Sequence, residues 1–157
     1  EEAQTFYDNF FKQFPKIRDY FEKIKNEARK KGYTTTAYGR RRYFPGFKSQ
    51  MPNLRAAAER MAVNAPMQGT QSDIIKIAMK EADDYIEKEG LRDKVHLLMQ
   101  VHDELVYEVD KGEVDAVAKK LKKIMEDAAP TEELSGVPII AEVNVGSNWG
   151  NLKRLSV

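Results

Sequence analysis

The chain has no cysteine among its 157 residues, which removes disulfides, thiolate metal sites and cysteine nucleophiles together. It also has no run of 18 apolar residues and no charged-then-apolar leader, so neither a membrane span nor a signal peptide is expected. These absences fit a reducing cytoplasm. Internal repeats and low-complexity tracts are missing too. The composition, 41% hydrophobic, suits one domain with a real core of one or two packed layers. The opening "EEAQTFYDNF" is already in helical pattern and lacks an initiator methionine, so the chain is expected to be part of a longer protein.

A net charge of +1 hides an uneven distribution. Residues 25 to 60 hold ten Lys or Arg against two Glu, a balance of +8 that leaves −7 for the rest. Such asymmetry suggests one face that meets a polyanion. A solvated basic loop would give the same count.

Phe6, Phe10 and Phe14, with Tyr7 and Phe11 beside them, form one aromatic helix face, and burial preference assigns it to the core. Pro15 opens a second helix striped by Ile17, Phe21, Ile24 and Ala28, ending at Gly32. Tyr33 to Thr36 and Arg41 to Phe44 read as a short hairpin turned at Tyr38-Gly39. Asn53 is a candidate cap for "LRAAAERMAVNA", which Pro66 should break or kink. A further helix, about Thr70 to Glu89, carries Ile74, Ile77, Ala78, Ala82, Tyr85 and Ile86. Two strands, 95–101 and 105–109, follow, joined across His102, Asp103 and Glu104. Asp110 with Glu113 has the reciprocal capping pattern for a helix over roughly 111–128, with Val114, Val117, Leu121, Ile124 and Met125 inward. The last strand is "VPIIAEVNVG", and Trp149 falls in a terminal tail. The class is therefore α+β, an antiparallel sheet covered on one side by helices.

Three features could carry chemistry. Arg60, Asn64 and Gln68 recur every four residues on an alanine-rich helix whose low surface lets a bulky partner approach. An Asn and a Gln there can donate to the minor-groove acceptors that every Watson-Crick pair shows. The alternative is that both merely satisfy backbone groups near Pro66. In "GRRRY", strand alternation sends Arg40 and Arg42 to one face and Arg41 to the other, and arginine pairs with phosphate through a planar fork. In "LMQVHDELVYEV", strand register gives Asp103 a face shared with Met99, Val101 and Leu105. A carboxylate at a rigid hairpin tip suits Mg²⁺, which takes oxygen ligands, but one or two carboxylates make half of a two-metal site. An ordinary polar turn would also contain Asp.

"GYTTTAYGRRRYFP", "RAAAERMAVNAPMQGTQSDIIKIAM" and "LMQVHDELVYEV", in this order, resemble the C-terminal part of bacterial family A DNA polymerases of the DNA polymerase I type. The resemblance covers essentially the whole chain. It implies a palm-type antiparallel sheet on helices, with residues 1–45 as the rear of the fingers and 46–157 as a partial palm holding the family's third catalytic motif. Asp103 would then bind catalytic Mg²⁺ ions, with Glu104 as accessory carboxylate. Gln100 and His102 would lie near the primer terminus, and Arg60, Asn64 and Gln68 along the minor groove. At least one of Arg40, Arg41 and Arg42 would hold a template phosphate. "GTQSD" departs slightly, with Gln71 and Ser72 where the family often has alanine.

The family's first catalytic aspartate and its nucleotide-binding fingers helix are not found here. The expected chain is thus a polymerase segment acting on primer-template DNA and deoxynucleotides, inactive alone, whose partner is the missing N-terminal portion. An exposed apolar palm edge could instead drive self-association. The alternatives are a non-catalytic duplex DNA-binding module or a subunit of a split polymerase.

Overall fold

The computed structural model describes residues 2–129, 134 and 136–157. They form helices α1 (Glu2–Gln13) and α2 (Pro15–Lys31), strands β1 (Tyr33–Thr35) and β2 (Arg41–Tyr43), and a 3-10 turn over Pro45–Lys48. Then come α3 (Pro52–Lys88), β3 (Val95–Val101), β4 (Glu104–Val109), α4 (Val114–Asp127), β5 (Asn144–Val145) and β6 (Lys153–Arg154). The chain divides into two units, Glu1–Thr70 and Gln71–Val157, with the division inside α3. The α+β class expected from the sequence is what forms. No helix among the described residues is long and apolar enough to cross a membrane.

In the first unit, α2 begins and ends where the sequence indicates. Pro15 occupies the first turn, where its missing N–H goes unneeded, and Gly32 closes the helix at φ 80° with its N–H on the Ala28 carbonyl, 2.8 Å. The hairpin is antiparallel with Tyr33, Thr34 and Thr35 opposite Tyr43, Arg42 and Arg41. Its core contact is small and dense: Ala28, Phe44, Ala58, Ala62 and Ala65 pack together, with Phe47 against them. Alanines let helix and loop backbones approach closely, and Phe44 fills the space that remains.

Three expectations fail in this unit. The row Phe6, Phe10 and Phe14 is exposed, Phe6 to 69%, and only Phe11 of the α1 aromatics is buried, against Phe21. Amphipathic spacing identified the stripe but not what covers it. Pro66 does not break the helix, and Asn53 does not cap it: α3 starts at Pro52, and the Met51 carbonyl accepts its first bonds from Leu54 and Arg55. An interior proline costs about 3 kcal/mol of helix propensity. The buried Ala58, Ala62 and Ala65 supply packing along the same turns, and such packing usually outweighs propensity.

The second unit packs the end of α3, the β3–β4 hairpin and α4 around Ile86, Val95 and Val117, joined by Tyr85, Leu91, Tyr107, Val109 and Leu121. The helix expected from residue 111 starts at Val114. Glu113 makes no side-chain cap because its carboxylate is taken by Lys94, 2.6 Å away. Nor does one sheet form: among the described residues there are three separate two-stranded ladders, and of the strand expected over 137–146 only Asn144–Val145 pairs, with Lys153–Arg154. Tyr107 is partly buried, and burial, with Asp83 adding to it, pushes its phenol up to about 12.

Ala62 is fully buried, so Ala62→Leu should overpack the first unit and destabilise the chain by about 1–3 kcal/mol in denaturant unfolding, against little effect for the exposed Ala56→Leu. Tyr107 holds its proton more tightly folded than unfolded, so its contribution to stability falls as pH rises from about 10 towards 12. Tyr107→Phe should make that alkaline decline shallower; an unchanged slope would show that the phenol does not ionise on unfolding.

Candidate functional site

On α3, Arg60, Asn64 and Gln68 all lie exposed, while Ala58, Ala62, Val63 and Ala65 are buried. The four-residue spacing thus yields a polar row turned away from the core, as α-helical geometry requires. Neither Asn64 nor Gln68 makes a side-chain hydrogen bond among the described residues. The reading in which they serve the backbone around Pro66 therefore fails: the group that serves it is Thr70, whose hydroxyl donates to the Pro66 carbonyl at 2.6 Å.

Much of the basic charge of residues 25–60 is already committed. Lys25 pairs with Glu22 at 2.8 Å, Lys31 with Glu27 at 3.1 Å and Arg29 with Glu59 at 2.5 Å. Arg55 donates to the Ser49 and Gln50 carbonyls. The hairpin arginines are held differently. Arg41 stacks 4.8 Å from the Tyr33 ring centroid, and Arg42 lies 5.6 Å from that of Phe44 and 3.7 Å from the Met61 sulfur. Strand alternation separates these two as expected. Stacking on rings orients a guanidinium while leaving its N–H edges available to an anion. Arg40, expected on one face with Arg42, is not part of the strand, which starts at Arg41; its Nη2 donates to the Gly69 carbonyl at 3.0 Å.

The carboxylates occupy the β3–β4 tip. Val95, His96 and Leu97 face Val109, Glu108 and Tyr107, and then the register shifts, so that Met99, Gln100 and Val101 face Val106, Leu105 and Glu104. The extra residue, Leu98, is a bulge that exchanges the faces of β3. This corrects the sequence reading: Met99 and Val101 share a face with Glu104, Val106 and Glu108, Leu105 is on the other face with Gln100, and Asp103 belongs to the turn. An unbroken period of two could not show the bulge.

The turn itself is His102-Asp103. His102 has φ 54°, a left-handed conformation that hairpin loops usually give to glycine, and among the described residues no other non-glycine has positive φ. Gln100 Nε2 donates to the His102 carbonyl at 2.6 Å and so braces the turn from within β3. Asp103 and Glu104 are both exposed. The tip is thus a strained, braced two-residue loop that holds two consecutive carboxylates in solvent.

Oxygen donors suit a hard cation such as Mg²⁺, but their number does not complete a site. Among the described residues no three His, Cys, Asp or Glu side chains are grouped to hold a metal ion. The second unit also has a cleft of about 260 Å³ lined by residues including Asp83, Arg92, His96 and Tyr107. None of the candidate DNA-binding or metal-binding residues lines it. Its charges neutralise each other, Arg92 donating to Asp83 at 2.5 and 2.9 Å and to Glu87 at 2.9 Å.

A left-handed non-glycine residue costs about 1–3 kcal/mol. His102→Gly should therefore hold or raise stability by up to about 1 kcal/mol in denaturant unfolding, whereas His102→Val, β-branched at the same φ, should lower it. The reverse order would remove strain from the account of the turn.

A sequence profile described as DNA polymerase family A matches residues 1–151. The thermostable DNA polymerase I of Thermus aquaticus is 43% identical over 154 residues, covering 98% of this chain and 18% of that protein. DNA polymerase I of Streptococcus pneumoniae is 42% identical over 153 residues, again 98% of this chain and 17% of the relative. Among solved structures, the POL domain of Pol1 from M. smegmatis, in complex with DNA primer-template and dNTP, superimposes with a TM-score of 0.80 at 43% identity, covering 88% of this chain and 23% of that one. The chain spans less than a fifth of the curated relatives it matches, yet nearly all of it is matched. A profile match from residue 1 to 151 and identities above 40% establish that this chain belongs to DNA polymerase family A.

Proposed function

We propose that the chain is the C-terminal segment of a DNA-directed DNA polymerase, which binds primer-template duplex and contributes part of the site that joins deoxynucleotides to a primer 3′-OH with release of pyrophosphate. The observation that carries this reading is that a chain of this family has, in its first unit, an exposed Arg60, Asn64 and Gln68 row and, in its second, a strained tip that presents Asp103 and Glu104. On this reading residues 1–45 are the rear of the fingers and 46–157 a partial palm.

The row would donate to minor-groove acceptors, sensing pair shape without reading sequence. Arg41 and Arg42, oriented by their rings, would take backbone phosphates. Gln100 braces His102, and both would lie near the primer terminus. Asp103 and Glu104 would supply oxygen ligands to Mg²⁺, whose chemistry when bound is to neutralise charge developing on the transferring phosphoryl group. Two carboxylates are too few, and no step can be assigned to these residues alone. On this reading the chain by itself is inactive.

Leu97, Leu98 and Met99 are exposed on β3, Leu98 to 55%, and among the described residues β3 pairs only with β4. That open edge is where the missing polymerase portion would add strands, and where two copies could associate in its absence. A second reading, a duplex-binding module without catalysis, is favoured by a fully formed polar row in the first unit when no three metal-ligating side chains are grouped among the described residues.

Primer extension with Mg²⁺ and four deoxynucleotides should require both this chain and a family A polymerase fragment that ends before Glu1. Asp103→Asn should abolish extension in the mixture and leave duplex affinity largely intact. Extension by the chain alone would overturn the proposal. Three to five phosphate contacts predict a log-log salt slope of roughly −3 to −5, and Asn64→Ala with Gln68→Ala should weaken binding similarly on all duplex sequences.

A further inference from the structure

The hairpin bearing Arg41 and Arg42 meets α3 one residue beyond Gln68, at a contact built from backbone and hydroxyl groups. The Thr70 hydroxyl accepts the Ala37 N–H at 3.0 Å while donating to the Pro66 carbonyl at 2.6 Å. A hydroxyl has one proton to give, so donating to Pro66 directs its lone pairs to Ala37. Next to it the Gly69 carbonyl accepts from Arg40 Nη2 at 3.0 Å. The turn that docks there is closed on itself: Thr36 N–H donates to the Arg40 carbonyl at 2.9 Å, Gly39 N–H to the Thr36 carbonyl at 3.0 Å, and Arg40 N–H to Thr36 Oγ1 at 3.2 Å. Thr36 is only 8% exposed.

No side chain fits between the two elements. A Cβ added at Gly69 would stand 2.6 Å from Thr36 Cγ2 and 3.4 Å from Arg40 Nη2. Because Thr36 is buried and β-branched, its methyl cannot swing aside, so the hairpin itself would have to move.

We propose that Gly69 and Thr70 are positioning residues: they latch the β1–β2 turn to α3 and so fix the spacing between the Arg41 and Arg42 guanidinium groups and the Asn64 and Gln68 row, making one rigid duplex grip. Neither residue touches DNA. The inference rests on the duplex-binding reading above. It also divides the arginine triplet: Arg40 is engaged by the latch through the Gly69 carbonyl, while Arg41 and Arg42, on opposite faces of the ladder, both stay exposed to phosphate.

Thr70→Val removes both hydroxyl bonds at nearly constant volume, and Thr70→Ser retains them. In the DNA-free 157-residue chain, Thr70→Val should speed hydrogen exchange at the Ala37 amide about tenfold, with Thr70→Ser close to the original. Duplex affinity should fall about 5- to 10-fold in Thr70→Val and recover in Thr70→Ser. The salt slope should shrink by about one phosphate contact, which loss of a minor-groove hydrogen bond alone would not produce. Gly69→Ala should act in the same direction and more strongly; should it fail to fold, the threonine pair still decides. Unchanged Ala37 exchange would show that there is no latch. Faster exchange with affinity within twofold of the original would show a latch that positions nothing. An original chain without duplex affinity would overturn the duplex-binding reading, and this proposal with it, whatever the exchange rates.

Discussion

One segment, Pro52–Lys88, has to stay helical across Pro66, and most of what the first unit does depends on that. If the helix ended at the proline, Arg60, Asn64 and Gln68 would no longer recur on one face, and Thr70 would not stand one turn beyond Pro66 with its hydroxyl on that carbonyl. The helix tolerates the proline because alanines bury along it against Ala28 and Phe44. A missing N–H costs one hydrogen bond; the packed face is shared over several turns. The small residues thus admit neighbouring backbone on the core side of the helix.

At the other end of the chain the governing constraint is strain rather than packing. Two consecutive carboxylates can be kept in solvent by any loop, but a two-residue loop leaves them little freedom. His102 accepts a left-handed backbone there, and Gln100 secures its carbonyl. Such outliers persist where the surrounding structure over-determines them. The Leu98 bulge serves the same tip by changing which side of β3 its last three residues present.

Local signals in the sequence carried a good deal. Pro15 and Gly32 bound α2 because each acts through its own backbone chemistry, whatever surrounds it. The separation of Arg41 from Arg42, the polar row and the two-strand hairpin around His102 and Asp103 follow from periods of 2 and 3.6, whereas Arg40 falls outside the strand. What a period cannot convey is what lies against a face. Phe6, Phe10 and Phe14 form a flawless stripe and are exposed, and Asp110 with Glu113 forms a flawless capping pattern that Lys94 dismantles by pairing with Glu113.

The sequence by itself determined family, class and candidate residues, since motif order and hydrophobic spacing are properties of one dimension. Only the tertiary structure decided that Pro66 is carried through, that Leu98 exchanges the faces of β3, and that Gly69 and Thr70 join hairpin to helix. Each of these is a balance between a local preference and contacts made by residues distant along the chain. Thr36 and Gly69 are 33 positions apart, and the methyl of one occupies the space that the other leaves by having no side chain.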